Sequence, residues 1–386
     1  MADRRRWLAG TGVGAVTAAL LLTGLTPSAL GDDTPQEPPP APVASPGAAA
    51  PAAADPLPPM GAFTDSGPDG ISGIAALESW LGGTRTRVGH TYLPGGDWAG
   101  IEGDDALLKP WADWKRAGPD RMFVLNVPMQ DHNEDHVPDR EVRTRIRAGA
   151  GGAYDAHFTR LARRLVALGV PDTVVVLGWE MNGTTYTHRC APDPDGWRTY
   201  WKRIVSAMRA VPGQRFRFDF APDRGQDAIA WTRCYPGDDT VDVIGMDSYD
   251  QPPGASFSDQ VTEPYGLQAQ VDFAAGHGKA ISYPEWGLFR NGDNPDYMRL
   301  MLGWIIGHKP LYQTITDYCP HGVLACAENP RSSAVYRELL SAGRPQPGGS
   351  QPRGPVVRGV AARAAGRPGP RSPRGAARPE AVAQRP

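Results

Sequence analysis

Two segments of this 386-residue chain end an apolar run on a carboxylate: Val174-Val175-Val176-Leu177-Gly178-Trp179-Glu180-Met181-Asn182-Gly183 and Lys279-Ala280-Ile281-Ser282-Tyr283-Pro284-Glu285-Trp286-Gly287. A β-branched run without polar interruption reads as a strand buried on both faces, the pattern of parallel sheets. Two such strands, each delivering a Glu at its C-terminal end, suit the cleavage of a glycosidic bond, which runs on a pair of carboxyl groups flanking that bond. Glu180 lies beside Trp179, where partial desolvation would raise its pKa and suit it to donate a proton to a leaving oxygen. Glu285 would have to stay ionised as a nucleophile, so it needs hydrogen-bond donors, and Tyr249 at a neighbouring strand end is the candidate. The competing reading of both glutamates is a helix cap or a strand-end salt bridge.

Around this pair stand groups suited to holding a sugar. The aromatics Trp98, Tyr186, Trp231, Tyr249, Trp286 and Tyr318 each fall on or just after an expected strand end, as Trp179 does. Flat sugar faces stack on such rings, and several rings with a few oriented polar groups make a carbohydrate cleft. Asn182 is placed to hold a sugar hydroxyl or the Glu180 carboxylate. Asp247 and Asp223 suit sugar hydroxyls, and equally a cation such as Arg224. His90 would line the cleft or pack inside the barrel. The stretch Asp131-His132-Asn133-Glu134-Asp135-His136 reads either as an ion-binding loop or as a solvated polar one. No metal site and no cofactor is expected. Neither a phosphate-binding glycine loop nor a serine-nucleophile elbow nor a zinc-hydrolase motif is evident.

Elements able to position these residues follow from the alternation of short β-rich runs with amphipathic stretches, the signature of parallel βα units. The expected strands are 61–63, 86–93, 121–128, 173–179, 216–221, 241–249, 280–283 and 313–318. Helices are expected over 71–81, 107–115, 154–168, 197–211, 266–277, 295–307 and 332–340, with Asn294 capping one and Ser332 or Ser333 capping the last. Eight strands within residues 60–342 imply a single (β/α)8 barrel, whose catalytic groups sit at the C-terminal ends of its strands.

Outside this body the composition changes. Residues 1–31 read as a bacterial export signal, with Arg4-Arg5-Arg6, an apolar stretch from Leu8 to Leu25 and small residues at Ala29-Leu30-Gly31. Arg4-Arg5-Arg6-Trp7-Leu8 is similar to a twin-arginine signal. An uncleaved N-terminal anchor is the alternative, since the stretch approaches the ~18 residues of a membrane span. The protein is thus expected to be secreted or held at the cell surface. Residues 32–59 form a Pro/Ala-rich linker. Residues 343–386 read as a disordered basic tail rich in Arg, Pro, Gly and Ala, with nine Arg and one Glu. That tail suits contact with an anionic cell-wall polymer, or stays solvated without a partner. Set against a total charge of −2, the +8 tail leaves an acidic body, which argues against nucleic acid as a partner. A monomer is expected. The four cysteines in an exported chain read as two disulfides. Cys190–Cys234 and Cys319–Cys326 are the favoured pairs, and the other two pairings stay open.

Three segments together, Gly-Trp-Glu-Met-Asn-Gly around Glu180, Pro-Glu-Trp-Gly around Glu285, and the run from Tyr235 to Tyr249, resemble glycoside hydrolase family 26, which contains β-mannanases and related β-glycanases. The resemblance covers most of residues 60–342. It implies a retaining (β/α)8 enzyme acting on a β-linked polysaccharide, with Glu180 matching the acid/base, Glu285 the nucleophile and Tyr249 the tyrosine that contacts the nucleophile. The chain departs from the family at Trp179, where a His is usual. It departs again at Thr184-Thr185-Tyr186-Thr187-His188, where further aromatics are common. Mannan specificity therefore does not follow. The rival reading is a non-catalytic carbohydrate-binding or cell-wall-associated protein on the same barrel.

Overall fold

The computed structural model describes residues 57–341. The export segment 1–31, nearly all of the 32–59 linker and the basic tail lie outside the described residues. Among those described, no helix is long and apolar enough to cross a membrane.

The elements run β1 (Met60–Phe63), α1 (Gly67–Trp80), β2 (Val88–Tyr92), α2 (Trp98–Ile101), α3 (Asp105–Arg116), β3 (Met122–Val127), α4 (Asp139–Ala150), α5 (Asp155–Ala167) and β4 (Val174–Leu177). They continue with α6 (Pro194–Arg209), β5 (Arg217–Phe220), a 3-10 turn (Trp231–Cys234), β6 (Val243–Ile244), β7 (Ser248–Tyr249), α7 (Phe257–Thr262) and α8 (Leu267–Gly276). The last are β8 (Ala280–Ile281), β9 (Tyr283–Gly287), α9 (Pro295–His308), β10 (Gln313–Thr316) and α10 (Pro330–Leu340).

All strand pairs are parallel, in the order β7-β9-β10-β1-β2-β3-β4-β5-β6-β8. β6 and β7 are two parts of one stave, and β8 and β9 two parts of the next. β6 pairs with β8 and β7 with β9, so the ring closes with eight staves, the (β/α)8 barrel expected from the sequence. The break in the seventh stave has a local cause. Pro284 has no N–H to donate, and Gln270 of α8 donates to the carbonyls of both Ile244 (2.9 Å) and Ser282 (3.0 Å). Beyond the break the strand continues to Gly287, so Glu285 lies within it rather than after it.

The helices cover the barrel with one apolar stripe each. In α6, Trp197, Tyr200, Trp201, Ile204, Val205 and Met208 are buried at helical spacing. Its start is set by Pro194 and by Asp193, whose side chain accepts from the Gly196 N–H. Asn294 caps α9 as expected, accepting from the Tyr297 N–H at 3.1 Å. The expected Ser332 or Ser333 cap of α10 is not formed: the helix begins at Pro330, and Asp293 from another loop accepts from the N–H groups of Arg331 and Ser332. The structure also adds α4, which is not among the helices expected from the sequence. Its sequence is dominated by charged residues, and its buried face consists of Val142, Ile146 and Gly149, too sparse a stripe to stand out.

Both favoured disulfides form. Cys190–Cys234 joins the loops following β4 and β5, and Cys319–Cys326 closes a short loop after β10.

Candidate active site

β4 ends at Leu177 and the chain turns at once. Gly178 has φ +57°, and a Cβ there would lie 2.5 Å from the Met129 sulfur. Glu180 is also left-handed, at φ +48°, a conformation that costs a non-glycine residue roughly 1–2 kcal/mol. It is held by two backbone hydrogen bonds: its N–H donates to the Ala221 carbonyl at 2.8 Å, and its carbonyl accepts from the Gly183 N–H at 3.0 Å. Asn182 rivets the same loop to its neighbour. Its Nδ2 donates to the Asp223 carbonyl, and its Oδ1 accepts from the Asp223 N–H, both at 2.9 Å. Asn182 is fully buried, so its amide is spent on backbone and not turned toward a sugar.

Glu285 points into the barrel from β9 and is buried. Tyr249, ending β7, donates its hydroxyl hydrogen to Oε2 at 2.7 Å and accepts from Thr316 Oγ1 at 2.7 Å. Asn126 of β3 donates to Oε1 at 3.3 Å, and Tyr92, ending β2, also hydrogen-bonds the carboxylate. Asn126 is itself oriented by His90, fully buried in the barrel, whose Nε2 lies 2.9 Å from Asn126 Oδ1. Burial pushes the His90 pKa down to about 4, so the ring is neutral and carries one N–H. With that hydrogen on Nε2 and donated to Oδ1, Asn126 is left with Nδ2 facing Glu285. His90 therefore acts as a packed barrel residue that sets an amide.

Carboxylate oxygens of Glu180, Glu285 and Asp247 lie within 4.8 Å of one another. Their environments differ. Glu180 is held well above the usual carboxylate range, first by desolvation and then by the charges of Asp223, Glu285 and Asp227. Among the described residues no side-chain donor reaches its carboxyl group. Burial also raises Glu285, but its hydrogen bonds from Tyr92, Tyr249 and Asn126 oppose the rise by favouring the anion. Glu285 is thus the group that ionises first and Glu180 the one that keeps its proton. Asp247 is fully buried with neither oxygen hydrogen-bonded, and burial with its carboxylate neighbours holds it protonated too. Burial lifts Asp223 to about 7. The cation expected to pair with it, Arg224, binds Glu263 instead.

Glu285 lines a cleft of roughly 510 Å³ whose aromatic wall is Phe63, Tyr92, Trp179, Tyr186 and Tyr318. Trp179 meets Tyr92 and Tyr186 edge-on, at 5.5 and 5.0 Å between ring centres. Three tryptophans expected here lie elsewhere. Trp98, in α2, stacks on Tyr154 and His157 of the outer layer. Trp231 is buried in the 3-10 turn against Phe273, donating to the Tyr265 carbonyl at 2.9 Å. Trp286 follows Glu285 in the strand and so faces the opposite way. It is buried between barrel and helices near Tyr336, with Nε1 donating to Gln313 Oε1 at 2.7 Å. At Gly287 the backbone closely approaches the next loop, since a Cβ there would lie 2.9 Å from the His321 carbonyl oxygen. The 131–136 loop gathers no ion-ligand set: Asp131 pairs with Arg145, and Asp135 with His132.

Tyr92, Asn126 and Phe63 were not singled out from the sequence. Each ends or nearly ends a barrel strand, and that position was the available signal.

The model of glycosyl hydrolase family 26 matches residues 162–286, a stretch that runs from α5 through β9 and contains both glutamates. The chain is glycosyl hydrolase family 26-like. Its barrel is similar to that of the Bacillus subtilis mannanase BCman (TM-score 0.55, 17% identity, 75% of this chain and 87% of that one). It is similar also to a β-mannanase from Bacteroides ovatus, BoMan26A (TM-score 0.53, 17% identity, 73% and 86%). A double mutant of the Cellulomonas fimi endo-β-1,4-mannanase aligns with TM-score 0.52 at 19% identity, over 69% of this chain and 66% of that one. No curated protein sequence matches the chain. Within this family 26-like barrel the site lies at the C-terminal ends of the strands, as the fold dictates.

Proposed function

We propose that this protein is a secreted retaining glycoside hydrolase that cleaves a β-linked polysaccharide, with Glu285 as nucleophile and Glu180 as acid/base. The observation that carries the reading is the pair of carboxyl groups within 4.8 Å, of which Glu285 lines an aromatic cleft. Retaining enzymes hold their carboxyls about 5–5.5 Å apart and inverting ones roughly 6.5–9.5 Å, to admit a water between them. The donors on Glu285 and their absence on Glu180 support the same division of labour. Glu285 attacks the anomeric carbon while Glu180 passes its proton to the leaving oxygen. The glycosyl–Glu285 ester is then hydrolysed by a water that Glu180, now ionised, deprotonates.

The structural relatives are named as mannanases, which makes β-mannan one substrate to test. Trp179 and the 184–188 loop reshape the neighbourhood of Glu180, so the polymer is chosen by experiment. The test is hydrolysis of β-mannan, mixed-linkage β-glucan, β-xylan and bacterial wall polysaccharides by the wild type and by Glu180→Ala and Glu285→Ala. Activity on one polymer that both substitutions abolish is the expected result. No hydrolysis of any polymer, with sugar binding equal in wild type and both variants, would leave a carbohydrate-binding protein instead.

A further inference from the structure

The 131–136 loop has a place in the molecule that the proposed chemistry does not use. It is fixed to the cleft rim by backbone hydrogen bonds: the Asn133 N–H donates to Gly95 (3.0 Å), the His132 N–H to Gly96 (3.4 Å) and the Thr187 N–H to Asn133 (2.7 Å). Thr187 Oγ1 adds a bond to the His132 carbonyl at 2.5 Å. The loop's position is therefore built from the segments after β2, β3 and β4.

Its charges are unequally spent. Asp131 is paired with Arg145 at 2.9 Å, and Asp135 with His132 at 2.6 Å. Glu134, exposed, has no ion pair or hydrogen bond among the described residues, and it is the acidic residue of this loop that lines the cleft. Its charge is felt by the phenols of both Tyr186 and Tyr318, which stand in the cleft wall. The described lining contains Glu134 and Glu285 and neither Lys nor Arg. A carboxylate without a partner, set among aromatic faces, favours a cation, which is drawn both by the charge and by the π-faces.

We propose that Glu134, with Tyr186 and Tyr318, forms a subsite for a protonated amino sugar, so that the glycan taken by this cleft carries free amino groups. This rests on the reading of the cleft as the glycan site and names the class of glycan. An N-acetyl group would remove the charge, and a uronate would meet Glu134 as a like charge.

The test is calorimetric binding to the full chain in a Glu285→Gln background, with and without Glu134→Gln, at a pH where the amine is protonated. The probes are a β-1,4-linked glucosamine tetrasaccharide, its fully N-acetylated counterpart and mannotetraose. The amino oligomer is expected to bind about tenfold more tightly than the other two, with Glu134→Gln erasing that advantage and leaving the neutral oligomers unchanged. Added salt should weaken the amino oligomer with Glu134 present and have little effect without it. Equal binding of all three, no binding of the amino oligomer, or an advantage that survives Glu134→Gln would overturn the proposal. The outcome is separable from that of the hydrolysis panel. Neutral polymers cleaved without an amino preference would remove the subsite and keep the enzyme. A Glu134-dependent preference with no hydrolysis of any polymer, the amino-bearing ones included, would do the reverse.

Discussion

The Tyr249 hydroxyl lies 2.7 Å from Glu285 Oε2, reaching it from the adjacent stave of the barrel. The phenol is fully desolvated and held well above its ordinary pKa, so it stays a donor throughout the working pH range. A hydrogen bond of this kind favours the ionised carboxylate, the form a nucleophile needs. Tyr249→Phe removes it. The expected outcome is a loss of kcat/KM on the order of 10–100-fold, from the worth of a hydrogen bond to a charged group. The Glu285 pKa should rise, so the acid limb of the pH–rate profile moves to higher pH. An unmoved acid limb would show that Tyr249 acts on something other than the carboxylate.

Asp223 acts on the other limb. Its charge is one of the causes that hold Glu180 protonated, and Asp223 itself ionises near 7. Asp223→Asn removes the negative neighbour and keeps the backbone groups that Asn182 binds. Glu180 should then ionise more readily, and the alkaline limb of kcat/KM should move to lower pH while the acid limb stays. A pH profile of the variant beside the wild type decides it.

The aromatic residues separate by location. Tyr186→Ala or Tyr318→Ala strips the cleft wall and should raise KM several-fold with little change in unfolding free energy. Trp286→Ala empties a buried site on the far face of the strand and should cost about 3–5 kcal/mol of stability. Urea unfolding of the three variants beside their KM values provides the measurement. A stability loss for Tyr318→Ala as large as that for Trp286→Ala would contradict the assignment.

Asp219 tests the barrel interior. It is fully buried, accepts from Ser282 (2.6 Å) and Tyr312 (2.7 Å), and has its pKa raised by burial from 3.8 to about 6. The folded state therefore binds its proton more tightly than the unfolded state does. That contribution is complete below about 3.8 and is lost as pH rises through about 6. Asp219→Asn cannot titrate. Between pH 4 and 7 the wild type should lose up to about 3 kcal/mol relative to the variant. Equal pH slopes in denaturant titrations would refute it.

From the chain alone one can read the barrel, the two glutamates at its strand ends and Tyr249 as a partner for Glu285. Each rests on a local regularity: β-branched runs of strand length, helical stripes between them, and a carboxylate where a run stops. The same reasoning favours one cysteine pairing, because the loops after neighbouring strands are neighbours, and the structure chose it over the two left open. Long-range placement decided the remainder. Trp286 and Glu285 are adjacent in sequence and face opposite sides of one strand, and the interruption at Ser282, just before Pro284, hides which side is which. Trp98 and Trp231 follow strand ends by several residues, far enough for their loops to carry them into the outer layer. The partners of Glu285 come from β2, β3 and β7, strands far apart in the chain, and Asn126 and Tyr92 became visible as donors once barrel closure brought those strands around one carboxylate. The protonation order follows from that closure as well, since the side chains are alike in the unfolded chain. Burial, the donors around Glu285 and the acidic neighbours of Glu180 make one an anion and the other an acid.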